Sequence, residues 1–240
     1  MRFSDLREGE FMRRPNRFGA WVRVGRKRLY VYVPNSGRLA ELLVPGAQVL
    51  WRPTASRERR TCGDLLLVRR GRRWVAVDSR LPPRLLAEAA VACGGLEPFG
   101  RCREPVFEPP LGAGRADLLL PCDEDRLWLV ETKCITLAVG GTARFPDAPT
   151  PRGARHMREL AELAHAGALD GRRPAVAFVC QRSDVYSFRP HDLMDPDFGV
   201  ALRAAARAGV VVVAYRCRVS ARGIQLWDHI AVDLTEGDSR

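Results

Sequence analysis

Two apolar runs, Leu118-Leu119-Leu120 and Leu127-Trp128-Leu129-Val130, are separated by Pro121-Cys122-Asp123-Glu124-Asp125-Arg126, which has the composition of a turn. Together they predict a β-hairpin, and the charged residues at its open end restrict what that hairpin can be. Asp117 precedes the first run and Glu131-Thr132-Lys133 follows the second, giving an Asp, thirteen residues, then Glu-x-Lys. Side chains at i and i+2 of a strand share a face, so Glu131 and Lys133 project together and Asp117 faces Glu131 across the hairpin. Two carboxylates converging at a strand end suit a hard cation with oxygen ligands, Mg²⁺ or Mn²⁺.

Only two of the thirty-nine basic residues are lysine, and Lys133 is one of them. A position that keeps lysine in an arginine-rich chain calls for a compact, pKa-tunable ammonium, which can orient an attacking water and offset charge on a phosphate. Asp117, Glu131 and Lys133 are therefore the expected catalytic residues of a metal-dependent nuclease core, with Asp117 and Glu131 as metal ligands. The competing reading of Glu-x-Lys is a solvent-exposed ion pair worth under ~1 kcal/mol. The aspartate at hairpin distance, the apolar flanks and the scarcity of lysine favour the metal site.

The net charge of +11 is unevenly placed. Residues 1–80 hold nineteen Arg or Lys against seven Asp or Glu, whereas residues 81–240 are almost neutral. Arginine clustered in one region is the electrostatic footprint of a phosphate-binding surface. The same region alternates apolar and polar residues in short runs: Gly19–Val24 and Arg28–Val33 around Gly25, a third run in Val44–Arg52, then Leu65–Arg69 and Trp74–Asp78 around Gly71. Five short strands in a basic domain of residues 1–80 fit a small β-barrel of the OB-fold type, which binds oligonucleotides. Trp21, Tyr30, Tyr32, Trp51 and Trp74 supply aromatic rings for stacking or for the core.

The pattern changes at Leu81-Pro82-Pro83, so residues 81–240 form a second domain. A helix is expected over Arg84–Cys93. Thr150-Pro151 is a helix start, with an N-cap and a proline at the first helical position, and that helix runs to about Ala166. Pro174–Cys180 and Val210–Tyr215 read as strands and Phe198–Ala208 as a helix, an alternation that implies an α/β sandwich with a mixed sheet. Glu88, in the first helix, and Glu104, upstream of Asp117, are further candidates for metal ligation.

No apolar run approaches the ~18 residues of a membrane span, and Met1–Arg14 lacks an apolar signal core, so no membrane partner and a cytoplasmic location are expected. The seven cysteines are odd in number, scattered and never C-x-x-C, which supports neither a disulfide framework nor a zinc site. Cys134 is read as a small buried residue.

Several segments carry a family resemblance: Arg14-Pro15-Asn16-Arg17-Phe18, Pro34-Asn35-Ser36-Gly37, Arg115-Ala116-Asp117, Glu131-Thr132-Lys133, Thr136-Leu137, Phe145-Pro146-Asp147-Ala148 with Thr150, Arg152-Gly153, His156 and Glu159-Leu160. In these the chain resembles the sugar fermentation stimulation protein A family over nearly its whole length. Where that family usually has Asn-Thr, this chain has Asp78-Ser79. The resemblance implies an N-terminal OB-fold joined to a PD-(D/E)xK restriction-endonuclease-like α/β domain, in a family associated with DNA binding and the regulation of sugar use. It adds Asn35, Ser36, Arg152 and His156 to Arg13, Arg14 and Arg17 as nucleic-acid contacts.

Two functions follow. One is a DNA-binding protein of largely sequence-independent affinity with a Mg²⁺-dependent phosphodiester-hydrolysing site. The other is a non-catalytic DNA-binding regulator of sugar (maltose-type) metabolism that keeps the nuclease-like fold. Nucleic acid, foremost DNA, is the expected partner, with a homodimer as a further expectation. A sugar-binding or sugar-modifying role has no support at the level of residues.

Overall fold

The computed structural model describes residues 1–54, 58–92, 94–111, 114–166 and 171–237. The N-terminal domain is built from β1 (Arg7–Asn16), β2 (Gly19–Val24), β3 (Lys27–Tyr32), β4 (Gln48–Pro53), β5 (Gly63–Arg70) and β6 (Arg73–Ala76). The strand order is β3-β2-β1-β4-β5-β6, and a parallel contact of Tyr32 with Asp64 joins β3 to β5, closing the first five strands into a barrel. Phe11, Val22, Val31, Val49, Trp51, Leu65 and Val68 fill it. The expected number of barrel strands is found, but their identity differs. β1 was absent from the sequence reading, and the fifth expected strand, β6, lies beyond the closure. The reason lies in burial: β1 reads Arg-Glu-Gly-Glu-Phe-Met-Arg-Arg-Pro-Asn and fully buries only Phe11, so it has no period-two apolar signal.

In the second domain, α1 (Pro82–Val91) is followed by β7 (Val106–Phe107), β8 (Pro110–Leu111), β9 (Gly114–Arg115), β10 (Leu118–Pro121), β11 (Leu127–Ile135), β12 (Ala138–Val139), β13 (Thr142–Phe145) and α2 (Pro151–His165). Then come β14 (Arg172–Cys180), β15 (Ser187–Pro190), α3 (Pro196–Arg207), β16 (Val211–Ser220), β17 (Gly223–His229) and β18 (Ala231–Val232). The expected hairpin forms as β10 and β11, and Cys93 lies outside the described residues.

The main sheet has the order β17-β16-β14-β11-β10-β7 and is mixed. β11, β14 and β16 run parallel, while the β10 and β17 pairings are antiparallel. Its parallel centre is covered on both faces, as such sheets require. Val176 and Phe178 pack with Met157 and Leu160 of α2 and with Phe198 and Leu202 of α3. The alternate residues Ala175 and Ala177 pack on the other face with Leu86 and Ala90 of α1. Thr150 caps α2 by accepting from Gly153 N (3.2 Å), with Pro151 in the first turn. Asp195 accepts from Phe198 N to cap α3 and from Thr150 N (2.7 Å), so one carboxylate ties together the starts of both helices.

The two domains share a core. Leu50, Leu66, Leu67 and Ala76 of the barrel pack with Leu85, Val179, Cys217 and Ile224 of the second domain. Ala76 N donates to Gln181 O, and Phe3 N to Arg222 O, which draws the N-terminal segment onto the start of β17. No helix among the described residues is long and apolar enough to cross a membrane.

The cysteine expectation needs correction. Cys102 and Cys122 are disulfide-bonded, while Cys62, Cys134, Cys180 and Cys217 are free. The bonded pair is separated by 20 in sequence and meets at an antiparallel bridge, a tertiary juxtaposition that cysteine spacing does not encode.

Leu67 is fully buried in the shared core. Leu67→Ala should cost about 2–5 kcal/mol in urea unfolding. Because both domains feed that core, tryptophan fluorescence and far-UV circular dichroism should report one common, lowered midpoint.

Candidate functional site

Hairpin register assembles the site. Leu118 pairs with Val130 and Leu119 with Leu129, which brings Asp117 beside Glu131 and Thr132. Asp117 Oδ2 accepts hydrogen bonds from Thr132 N (2.7 Å) and Thr132 Oγ1 (2.6 Å). The residue between Glu and Lys therefore fixes the aspartate, a role the sequence reading did not assign to it.

On the other side, Lys133 Nζ donates to Glu131 Oε1 (2.5 Å), and His156 Nδ1 lies 2.5 Å from the same oxygen. Arg152 Nε donates to His156 Nε2 (3.3 Å). With Nε2 accepting, the neutral ring carries its proton on Nδ1 and donates it to Glu131. His156, read from sequence as a phosphate contact on the helix surface, is buried and holds a carboxylate. Only the docking of α2 on β11 brings the two together. Glu131 is 4% exposed, so Glu131 and Lys133 are not the solvated pair that Glu-x-Lys alone would suggest.

Among the described residues, Glu131 Oε2 is buried without a hydrogen-bond partner. A buried acceptor left unmatched costs about 1–3 kcal/mol, and here it stands beside a second carboxylate, a donor set suited to a hard cation. Among the described residues no three His, Cys, Asp or Glu side chains group into a metal site. The platform is thus two carboxylates, the number Mg²⁺ commonly takes from protein while keeping waters.

The environment separates the two acids. Burial raises the Asp117 pKa, the Glu131 charge adds to this, and the Thr132 donors and Lys133 only partly oppose it. Burial also pushes Glu131 upward, but the Lys133 charge and the bonds from His156 and Lys133 outweigh it and leave this carboxyl below its ordinary value.

The carboxylates open into a cleft of about 640 Å³ lined from both domains. Arg17, Asn35, Ser36 and Arg80 contribute from the barrel side, and Arg115, Arg144, Lys133, Arg152 and His156 from the second domain. A side pocket of about 380 Å³ shares Arg80, Glu108 and Asp117 with it. Arg80 and Glu108 were not anticipated. Neither belongs to a local motif, and both reach the cleft through tertiary packing.

Among the remaining expected contacts, Arg17, Ser36 and Arg152 are exposed at the cleft. Arg13 is exposed on β1 outside that lining. Arg14 requires correction as a phosphate ligand. Its guanidinium donates to the carbonyls of Gly37 (2.6 Å), Arg38 (2.7 Å), Asn35 (2.7 Å) and Arg17, so its donors hold the loop instead. Asn35 is likewise internal, donating to Val77 O (2.9 Å) and accepting from Gly37 N (2.7 Å). The loop is pinned to the second domain where Leu39 N donates to Asp147 Oδ2 (3.0 Å). Gly37 lies so close that a Cβ there would stand 2.3 Å from Asp147 Oδ1, which explains the glycine.

Two expected metal ligands are not brought to the carboxylate pair. Glu88 faces outward and pairs with the Met1 amine (2.8 Å), and Glu104 is exposed and outside the cleft lining. Asp78 is buried and accepts from Arg80 (2.7 Å), which also donates to Asp64 (3.0 Å).

Removing the ammonium tests the buried pair. Lys133→Ala should cost about 3 kcal/mol at pH 7 by leaving Glu131 charged and poorly compensated. Glu131 has a depressed folded pKa, so its contribution is present above the ordinary glutamate value near 4.5 and is lost as pH falls through the lower folded value. The difference between the two proteins should therefore shrink in urea titrations at progressively lower pH.

The family model described as SfsA N-terminal OB domain matches residues 12–77, and the one described as Sugar fermentation stimulation protein RE domain matches residues 80–223. A sugar fermentation stimulation protein homolog of Moorella thermoacetica is 40% identical over 96% of this chain and 98% of its own. One from Symbiobacterium thermophilum is 44% identical over 93% of each. A solved structure of Pyrococcus furiosus SfsA in complex with Ca²⁺ is 29% identical, covers 97% of this chain and 98% of its own, and superposes with a TM-score of 0.84. With both domains matched in order and relatives similar along nearly the full length, the chain belongs to the sugar fermentation stimulation protein family.

Proposed function

We propose that the protein binds nucleic acid, foremost DNA, with little sequence preference and hydrolyses a phosphodiester bond with the help of Mg²⁺ or Mn²⁺. The observation that carries this reading is the Asp117–Glu131 pair, half-buried and buried in turn, with a Glu131 oxygen unpartnered among the described residues, opening beside Lys133 into an arginine-lined cleft. That the Pyrococcus furiosus relative is described in complex with Ca²⁺, another hard cation, agrees with the chemistry of these donors.

Asp117 and Glu131 would hold the ion. When bound, it would neutralise charge on a phosphate oxygen and lower the pKa of a coordinated water. Thr132 fixes Asp117 and His156 fixes Glu131, so the carboxylates are positioned before anything binds. Lys133 Nζ offsets charge developing on the phosphate and orients the attacking water. Arg17 and Arg152 balance neighbouring phosphates along the strand.

The contacts at Glu131 also favour a second reading. Its Oε1 is already matched by Lys133 and His156, so the cluster satisfies much of its own charge. A non-catalytic regulator of sugar metabolism would retain such a cluster as scaffold, and the name carried by the relatives fits that role.

Purified protein with labelled DNA and RNA should cleave in Mg²⁺ or Mn²⁺ and not in chelator. Glu131→Ala should be inactive, and Lys133→Ala should lose cleavage while binding within a few fold. Cleavage that persists in Lys133→Ala would reject the hydrolytic mechanism, and retarded but uncut substrate would favour the regulator. Because arginine–phosphate contacts dominate, raising salt from about 50 to 200 mM should weaken binding about a hundredfold, as for roughly four neutralised phosphates. Anisotropy titrations at the two salt concentrations measure this.

A further inference from the structure

Two exposed aromatic rings are connected to the carboxylate cleft through Arg80. On the barrel side, Phe18 is 48% exposed and stacks on Tyr32, with centroids 6.2 Å apart and an interplanar angle of 22°. The Arg59 and Arg80 guanidinium groups lie 5.3 and 5.9 Å from the Tyr32 centroid. On the other side, Phe107 is 48% exposed at the edge strand of the main sheet. It pairs with Leu118, the residue after Asp117, and lines the side pocket with Arg80, Arg84 and Asp117. Arg80 links the two surfaces, since it borders the main cleft and the side pocket and also lies over Tyr32.

Here the rings lie near arginines: Arg59 and Arg80, both also paired with Asp64, lie over Tyr32, on which Phe18 stacks, and Arg84 shares the side pocket with Phe107. Rings that stack bases, next to cations that meet phosphates, make up a surface for unpaired nucleotides. A base inside a duplex keeps its faces covered by its neighbours and cannot lie on Phe107 or Phe18. We infer that the site takes single-stranded nucleic acid, with one base stacked on Phe107 in the side pocket, another on Phe18 over Tyr32, and the intervening phosphates beside Arg17, Arg84 and the Asp117–Glu131 pair. This rests on the nucleic-acid reading above and specifies the form of strand.

The test is binding of a labelled 12-nucleotide single strand and of the matching blunt duplex by full-length protein in chelator, so that cleavage does not interfere. The unmodified protein should prefer the single strand. Phe107→Ala and Phe18→Ala should each weaken single-strand binding by about five- to a hundredfold, the range for loss of one stacked base, and should change duplex binding less than twofold. Phe107→Trp keeps an aromatic face and should restore single-strand affinity, separating stacking from damage to the fold. Equal losses for both forms, no loss for the single strand, or a preference for duplex would overturn the inference and leave the nucleic-acid reading standing. Binding of neither form by the unmodified protein would overturn both.

Discussion

The candidate site is organised around the burial of Glu131. A carboxylate with 4% exposure is tolerable only if its charge is met, and Lys133 and His156 meet it on one oxygen while the other stays unmatched. This single requirement fixes much else. Lys133 must sit two residues along the same strand, α2 must dock so that His156 reaches across, and Thr150, Pro151 and Asp195 set where α2 begins. Asp117 is then held at the mouth of the hairpin by Thr132, close enough for its own ionisation to be opposed by the Glu131 charge. The arrangement leaves unsatisfied acceptor capacity in one place, and the proposed cation site rests on it.

Arginine divides into two roles around this centre. Arg14, Arg182 and Arg203 are internal ties. Arg14 binds four loop carbonyls, Arg182 bonds Thr136 O and Asp184, and Arg203 bonds Asp192 and Leu234 O. Arg17 and Arg152 instead stand exposed at the cleft. The planar fork of guanidinium, matched to carbonyl and carboxylate geometry, serves both uses, which a lysine would serve less well.

How much could be read from the residues alone follows from the range of each signal. Asp117, Glu131 and Lys133 were legible because strand periodicity and one hairpin place them, and both operate over a few residues. The partnership of His156 with Glu131 was not, because it joins a helix to a strand whose side chains meet only after packing. Arg14 was misassigned for a related reason: composition reports charge but not which carbonyls surround it. β1 escaped notice because its side chains are mostly solvated, and the Cys102–Cys122 pairing because it depends on how the segment after α1 crosses the end of β10. The change at Leu81-Pro82-Pro83 marked where α1 begins, yet gave no hint that the flanking domains pack into one another.

That mutual packing bears on the proposed chemistry. With Leu67 and Ile224 in one core and the N-terminal segment laid against β17, the gap between the domains is set when the chain folds, and no hinge is needed to form it. A cleft formed in this way does not depend on shutting over its contents. In the proposed reaction, groups already aimed at the reacting atoms before substrate arrives supply the rate enhancement.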